Sequence, residues 1–346
     1  MAIDPISYNR VREHVGLYDA TGQYGRLFAK GKDALDLLHR MSTNDITPLE
    51  SQTGKAVFTA LTNEKGRIID VLKVIRDSAG EVMLVTSKDK EQTVIEWLDK
   101  FTIMEDARFV IASDTIAQFL LCGLNATEIA SQYTNKKLDE ATHADVFDIQ
   151  INNIPGTLTK GPSLAGNAWF IFTANETAET VRQKLQTDIL SAGGASIDDE
   201  LFDLLRIENG TPIAPNELNE KHNPLELPLA NEVVSFTKGC YIGQEVIARL
   251  DAQGKVQRQL VGLQFGNGTP NIGDRIVDET IRSDAPLGNE IGEITSIANS
   301  PIHGAIGLGF VRAKRIVDDA ANPGRTLFVK DNEKTLPTTL VKLPFD

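Results

Sequence analysis

The densest run of reactive side chains is Lys238-Gly-Cys-Tyr-Ile-Gly-Gln-Glu245, followed by Val-Ile-Ala-Arg249. A thiol two residues from an ammonium gains thiolate character over a free cysteine, whose pKa is about 8.5. The flanking glycines let the backbone turn tightly and approach a ligand. On this reading Cys240 is a nucleophilic or redox thiol and Lys238 its activating cation. Tyr241 and Gln244 add a ring and an amide for a bound molecule. The same residues also read as a turn into a helix with a buried, inert cysteine, and the segment alone does not separate the two. None of the five histidines, at 14, 39, 143, 222 and 303, lies within a few residues of Cys240. The sequence therefore names no base for a cysteine–histidine pair.

Two carboxylates stand out by their surroundings. Asp70 interrupts Arg67-Ile-Ile-Asp-Val-Leu-Lys-Val-Ile75. If buried unpaired there, it costs several kcal/mol, so it requires a partner or a wet cleft; otherwise it sits on an edge strand facing water. Glu208 closes a helix, where a negative charge opposes the dipole by about 0.3–1 kcal/mol. It is either held by a partner or simply exposed.

The elements that must position these groups follow from periodicity. A short helix is expected over Ile6–Val15 and a strand near Gly25–Ala29. Ala34, Leu37, Leu38 and Met41 form one apolar helix face, stopped by polar residues and Pro48. Strands are expected over Ala56–Leu61, Arg67–Arg76, Glu81–Thr86 and Ala107–Ala112, with a helix carrying Val94, Ile95, Leu98 and Phe101. Ser196-Ile-Asp-Asp199 reads as a capping box opening a helix with Leu201, Leu204, Leu205 and Glu208, and Gly210 fits its C′ position. Beyond Ala252, six short strands between Gly, Asn and Pro turns read as a small β-barrel or sandwich.

Composition bounds the function. The chain has 346 residues, 41% of them hydrophobic and 24% charged, as a globular protein of two or three domains requires. Its net charge is -13, nearly all of it in residues 1–250, which disfavours direct binding to nucleic acid. Two distant cysteines, Cys122 and Cys240, exclude a disulfide framework and any four-cysteine metal or iron–sulfur site within one chain. Cys122, in Phe119-Leu-Leu-Cys-Gly-Leu124, reads as a core residue. No histidine pair has metal-ligand spacing, and neither GxGxxG nor GxxxxGK[ST] occurs, so no metal is expected and nothing indicates NAD or ATP. With no secretory signal and no span of about 20 apolar residues, the sequence predicts a cytoplasmic protein without membrane contact.

The motifs resemble a known family. Lys238-Gly-Cys-Tyr-Ile-Gly-Gln-Glu245 resembles the Lys-Gly-Cys-Tyr-x-Gly-Gln-Glu hallmark of YgfZ-type folate-binding proteins, relatives of the glycine cleavage T-protein, an aminomethyltransferase. Leu17-Tyr-Asp-Ala20, Gly31-Lys-Asp-Ala34, Ser42-Thr-Asn-Asp45, Leu61–Asp70 and Leu205-Arg-Ile-Glu-Asn-Gly210 are similar to further family segments in the same order. The resemblance implies an α+β fold: a three-lobed ring of domains around a central folate pocket, with a C-terminal β-barrel. The expected division is a discontinuous lobe of residues 1–50 and 113–250, a small α+β lobe of 51–112, and the barrel at 251–346. The resemblance also implies non-covalent binding of tetrahydrofolate or a derivative, with Asp70 and Glu208 as its carboxylates. The T-protein has paired aspartates where this chain has Asp70-Val71, and it lacks the Lys-Gly-Cys-Tyr segment. The expected function is therefore that of a tetrahydrofolate-binding protein assisting assembly or repair of iron–sulfur enzymes, its clients, and thereby tRNA modification. The alternative is a folate-dependent aminomethyltransferase of the T-protein type.

Overall fold

The computed structural model describes residues 3–266, 268–278, 290–321, 327–331 and 334–345. The chain opens with a helix, Pro5–Glu13, capped by the Asp4 carboxylate. Strands β1 (Gly16–Asp19) and β2 (Tyr24–Lys30) follow and enter different sheets. β2 joins β3 (Lys55–Thr62), β4 (Ile68–Arg76), β5 (Val82–Ser87) and β6 (Arg108–Ile111) in a five-stranded sheet of order β3-β4-β5-β2-β6. β1 joins β7 (Ile116–Gly123), β8 (Val146–Ile151), β9 (Ile154–Lys160), β10 (Asn167–Ala174) and β11 (Ala195–Ile197) in a six-stranded sheet of order β11-β1-β7-β10-β9-β8.

The five-stranded sheet takes in more of the N-terminus than the expected 51–112 lobe. β2 is paired on both sides, by β5 and β6. The apolar stripe Ala34, Leu37, Leu38 and Met41 lies on the helix Ala34–Met41 and is fully buried, packed with Leu61, Leu72, Val74 and Leu84 of this sheet. Only β1 and the first helix cross to the six-stranded sheet, where β1 bridges β7 and β11. The helix needs a flat apolar partner, and the nearest one after the turn at Gly31 is the sheet that β2 already edges.

The last unit is a closed barrel, β12-β15-β14-β13-β16-β17, as the six turn-bounded segments require. Its strands are β12 (Arg258–Phe265), β13 (Arg275–Asp278), β14 (Glu290–Ser300), β15 (Gly304–Arg312), β16 (Leu327–Asp331) and β17 (Lys334–Val341). Closure leaves no unpaired edge.

The helix Asp199–Asn209 ties the barrel to the rest. Its cap is Asp198, whose carboxylate accepts from Leu201 N at 2.8 Å, because Ser196 is already spent in β11. Gly210 ends it in the left-handed conformation, φ 74°. From this helix the buried Arg206 donates to Glu217 (3.2 Å) and to Ser296 of β14 (2.8 Å). Among the described residues no helix is long and apolar enough to cross a membrane.

Candidate functional site

Two adjoining cavities, of about 100 and 230 Å³, lie where the two sheets meet the loop after Gly210 and the short helix Ala230–Val233. Both are walled by Phe58 of β3, Val71 of β4, Pro162, Thr211, Pro212 and Leu229. Larger furrows of about 530 and 810 Å³ run beside the barrel and along residues 29–36 and 76–82, but neither contains a buried cation.

The smaller cavity does contain one. Alternation along β4 sends Val71 and Lys73 toward it, while Leu72 and Val74 face the helix layer. Lys73 is 2% exposed. Its Nζ donates to the main-chain oxygens of Lys160 (2.6 Å) and His143 (3.3 Å) and lies 4.7 Å from the centre of the Phe58 ring. None of its hydrogen bonds is to a carboxylate; Glu232 acts on it only electrostatically. Burial pushes its ammonium down to about 7. Nearby, His143 on the wall of the larger cavity is also held low, by burial and then by Lys73. An amine stripped of water in an apolar pocket can act as a base or a nucleophile near neutral pH.

The residues singled out from the sequence fall around this cavity rather than in it. Asp70 is fully buried, so it does not face water on an edge. Strand alternation puts Asp70 on the same face as Leu72, opposite Val71 and Lys73; the register slip against β3 lies before it, between Ile68 and Asp70. Its Oδ2 accepts from Ser87 N at 3.0 Å, and burial raises its carboxyl to about 6. Ser87 itself lines the smaller cavity. Glu208 is also buried, and its oxygens accept from Tyr8 (2.8 Å), Arg12 (3.0 Å) and Ser300 of the barrel (2.7 Å). Those three donors resolve its place at the helix end: it clamps the first helix, its own helix and β14 together. Neither carboxylate lines either cavity.

The Lys238–Glu245 segment is a docked turn with an exposed thiol. Lys238 Nζ donates to the carbonyls of His39, Ser42 (2.7 Å) and Asn44 (3.0 Å), closing the end of the helix Ala34–Met41. Burial pushes it down to about 8. It is thereby committed to carbonyls, as a helix C-terminus favours. Gly243 has φ 84°, and a Cβ there would lie 2.6 Å from Asn63 O and 3.0 Å from Gly66 Cα, so the motif seats on the β3–β4 turn. Tyr241 packs into an apolar cluster with Val233 and Ile247, against Phe58 and Val71 of the cavity wall. Gln244 begins the helix Gln244–Ala252 and reaches back only to Gly239 O, at 3.4 Å. Cys240 is exposed, whereas Cys122 is buried in β7 with its thiol pushed up to about 12.

Sequence reading passed over Lys73. It lies in the same run as Asp70, two residues past Val71, and strand alternation applied there would have marked it as the charge facing inward. Among the described residues no group of three His, Cys, Asp or Glu side chains is arranged to hold a metal ion.

An antiparallel sheet and a mixed sheet meet a closed barrel, and among the described residues Lys73 is the one buried lysine lining the smaller cavity. Residues 6–238 match the GCVT N-terminal domain and residues 258–346 the glycine cleavage T-protein C-terminal barrel domain. The chain belongs to this glycine cleavage T-protein family. It is 27% identical over 340 residues to an aminomethyltransferase of Staphylococcus saprophyticus, covering 97% of this chain and 88% of that one. It is 28% identical over 310 residues to an aminomethyltransferase of Caldanaerobacter subterraneus, covering 89% and 79%. The crystal structure of glycine cleavage system aminomethyltransferase T from Bartonella henselae shares the fold, with a TM-score of 0.79 at 20% identity over 98% of this chain and 88% of that chain.

These likenesses overturn the expected role in iron–sulfur assembly. Relatives that match nearly end to end are named aminomethyltransferases, and none of these names carries an iron–sulfur client or a tRNA modification. Lys238, expected to polarise the Cys240 thiol, has its ammonium hydrogen-bonded to three carbonyls.

Proposed function

We propose that the chain is a tetrahydrofolate-dependent aminomethyltransferase-type protein that binds its cofactor non-covalently in the central cavity. The observation that carries this reading is the cavity itself, formed jointly by both sheets and the loop after Gly210 inside a chain that matches the aminomethyltransferases throughout. Its walls, Phe58, Val71, Phe170 and Leu229, suit an aromatic ring system, which prefers apolar and aromatic faces. Within the family, the segment Lys238–Glu245 supports a place beside the YgfZ-type folate-binding proteins.

On this reading the residues chosen from the sequence position the wall. Asp70 fixes Ser87, Glu208 anchors the helix that leads into Thr211–Ala214, and Tyr241 backs Phe58 and Val71. Calorimetric titration with tetrahydrofolate and with folinic acid tests it, together with turnover of an aminomethyl donor. Binding lost on Val71→Asp or Leu229→Asp but kept on Gln244→Ala is expected. Equal binding in all three variants places the folate elsewhere and refutes the assignment.

A further inference from the structure

We propose that Lys73 is a carbonyl-reactive amine, whose Nζ condenses with a small uncharged aldehyde admitted to the central cavity. The inference rests on that cavity being the ligand site and deepens the reading above by naming a class of substrate.

Four observations carry it. Lys73 lines the smaller of the two adjoining cavities, about 100 Å³, which by itself admits a small molecule or one end of a larger one. The other lysine on that wall, Lys88, is exposed, so once Lys73 has reacted no buried cation is left to pair with a carboxylate; this selects an uncharged partner. The charged or titratable groups facing Lys73 are Glu232 of the short helix, His143 before β8 and Lys160 at the end of β9, and none forms an ion pair with it. Burial holds the amine near half-protonated at neutral pH, so a free lone pair is present without an added base.

The hydrogen bonds suit the product as well. In the condensation the Nζ lone pair forms a bond to the carbonyl carbon. The carbon–oxygen bond then breaks, and the oxygen leaves as water, carrying one hydrogen from the amine and one proton taken from solvent. No electrons are gained or lost. The protonated imine keeps one N–H, and the Lys160 oxygen at 2.6 Å is placed to accept it, while the longer contact to His143 O, at 3.3 Å, is given up. A secondary amine that takes the carbon returns Lys73 to its free form.

The test uses the full chain at pH 7 with acetaldehyde and cyanoborohydride, followed by peptide mapping. Exposed lysines have pKa values of about 10.4, so their free-amine fraction at pH 7 is about a thousandfold below that of Lys73. Even after loss through restricted access, Lys73 is expected to be ethylated at least about tenfold faster than exposed Lys221. Raising the pH to 9 should narrow this ratio, because the free-base fraction of the exposed amines rises about a hundredfold while that of Lys73 only about doubles. Labelling of Lys73 no faster than Lys221 overturns the proposal. Tetrahydrofolate is added as a protecting ligand to keep the two readings apart. Fast labelling of Lys73 with no folate binding supports this proposal and removes the folate reading. Folate binding with an inert Lys73 removes this proposal alone.

Discussion

Replacing Lys73 by Met should change stability in a pH-dependent way, with the variant losing ground to the wild type as the pH rises from neutral into alkali. A lysine titrates at about 10.5 when unfolded, and burial in the cavity wall lowers it to about 7. The folded state therefore binds fewer protons than the unfolded state between those values, and stability rises with pH across the window. The penalty is fully present below pH 7 and absent above pH 10.5. A gap of about 3.5 between the two values, at about 1.36 kcal/mol for each, amounts to about 5 kcal/mol. Methionine keeps the length and apolar stem but leaves two carbonyls, of Lys160 and His143, without this donor, at about 1–3 kcal/mol each. That loss is the same at every pH, so the difference between variant and wild type should still swing by about 5 kcal/mol between pH 6.5 and pH 10.5. Urea unfolding at intervals across this range measures the swing. A pH-independent difference would show that Lys73 remains an ordinary ammonium, and the chemistry assigned to it would fall.

Iodoacetamide under native conditions should label the exposed Cys240 well before the buried Cys122; Lys238→Ala should leave that rate nearly unchanged but lower the unfolding midpoint, since its ammonium binds the carbonyls of Ser42 and Asn44. A slowing of Cys240 labelling with unchanged stability would restore the thiol-activating role. Gly243→Ala should destabilise by about 1–3 kcal/mol, from the positive φ and the 2.6 Å approach to Asn63 O, read as a drop in melting temperature; a neutral effect would mean the turn is not seated on the β3–β4 hairpin.

Much of this protein follows from local pattern. The stripe Ala34, Leu37, Leu38 and Met41 can bury itself only as a helix, and the six turn-bounded segments after Ala252 can satisfy their backbone only by pairing, which produced the closed barrel. Cys122 in an apolar run is a core residue for the same reason. What local pattern could not settle was which sheet each element joins and which way each polar side chain points. β2 lies within eight residues of β1 yet pairs in the other sheet, because strand partners are chosen by long-range contacts. In β4 alternation separates Asp70 and Leu72 from Val71 and Lys73, but which of the two faces meets the cavity is decided by what packs on each side of the sheet. Glu208 and Lys238 are reactive types by sequence, but partners some 200 positions away hold them in place, and only the folded chain brings those partners within hydrogen-bond reach.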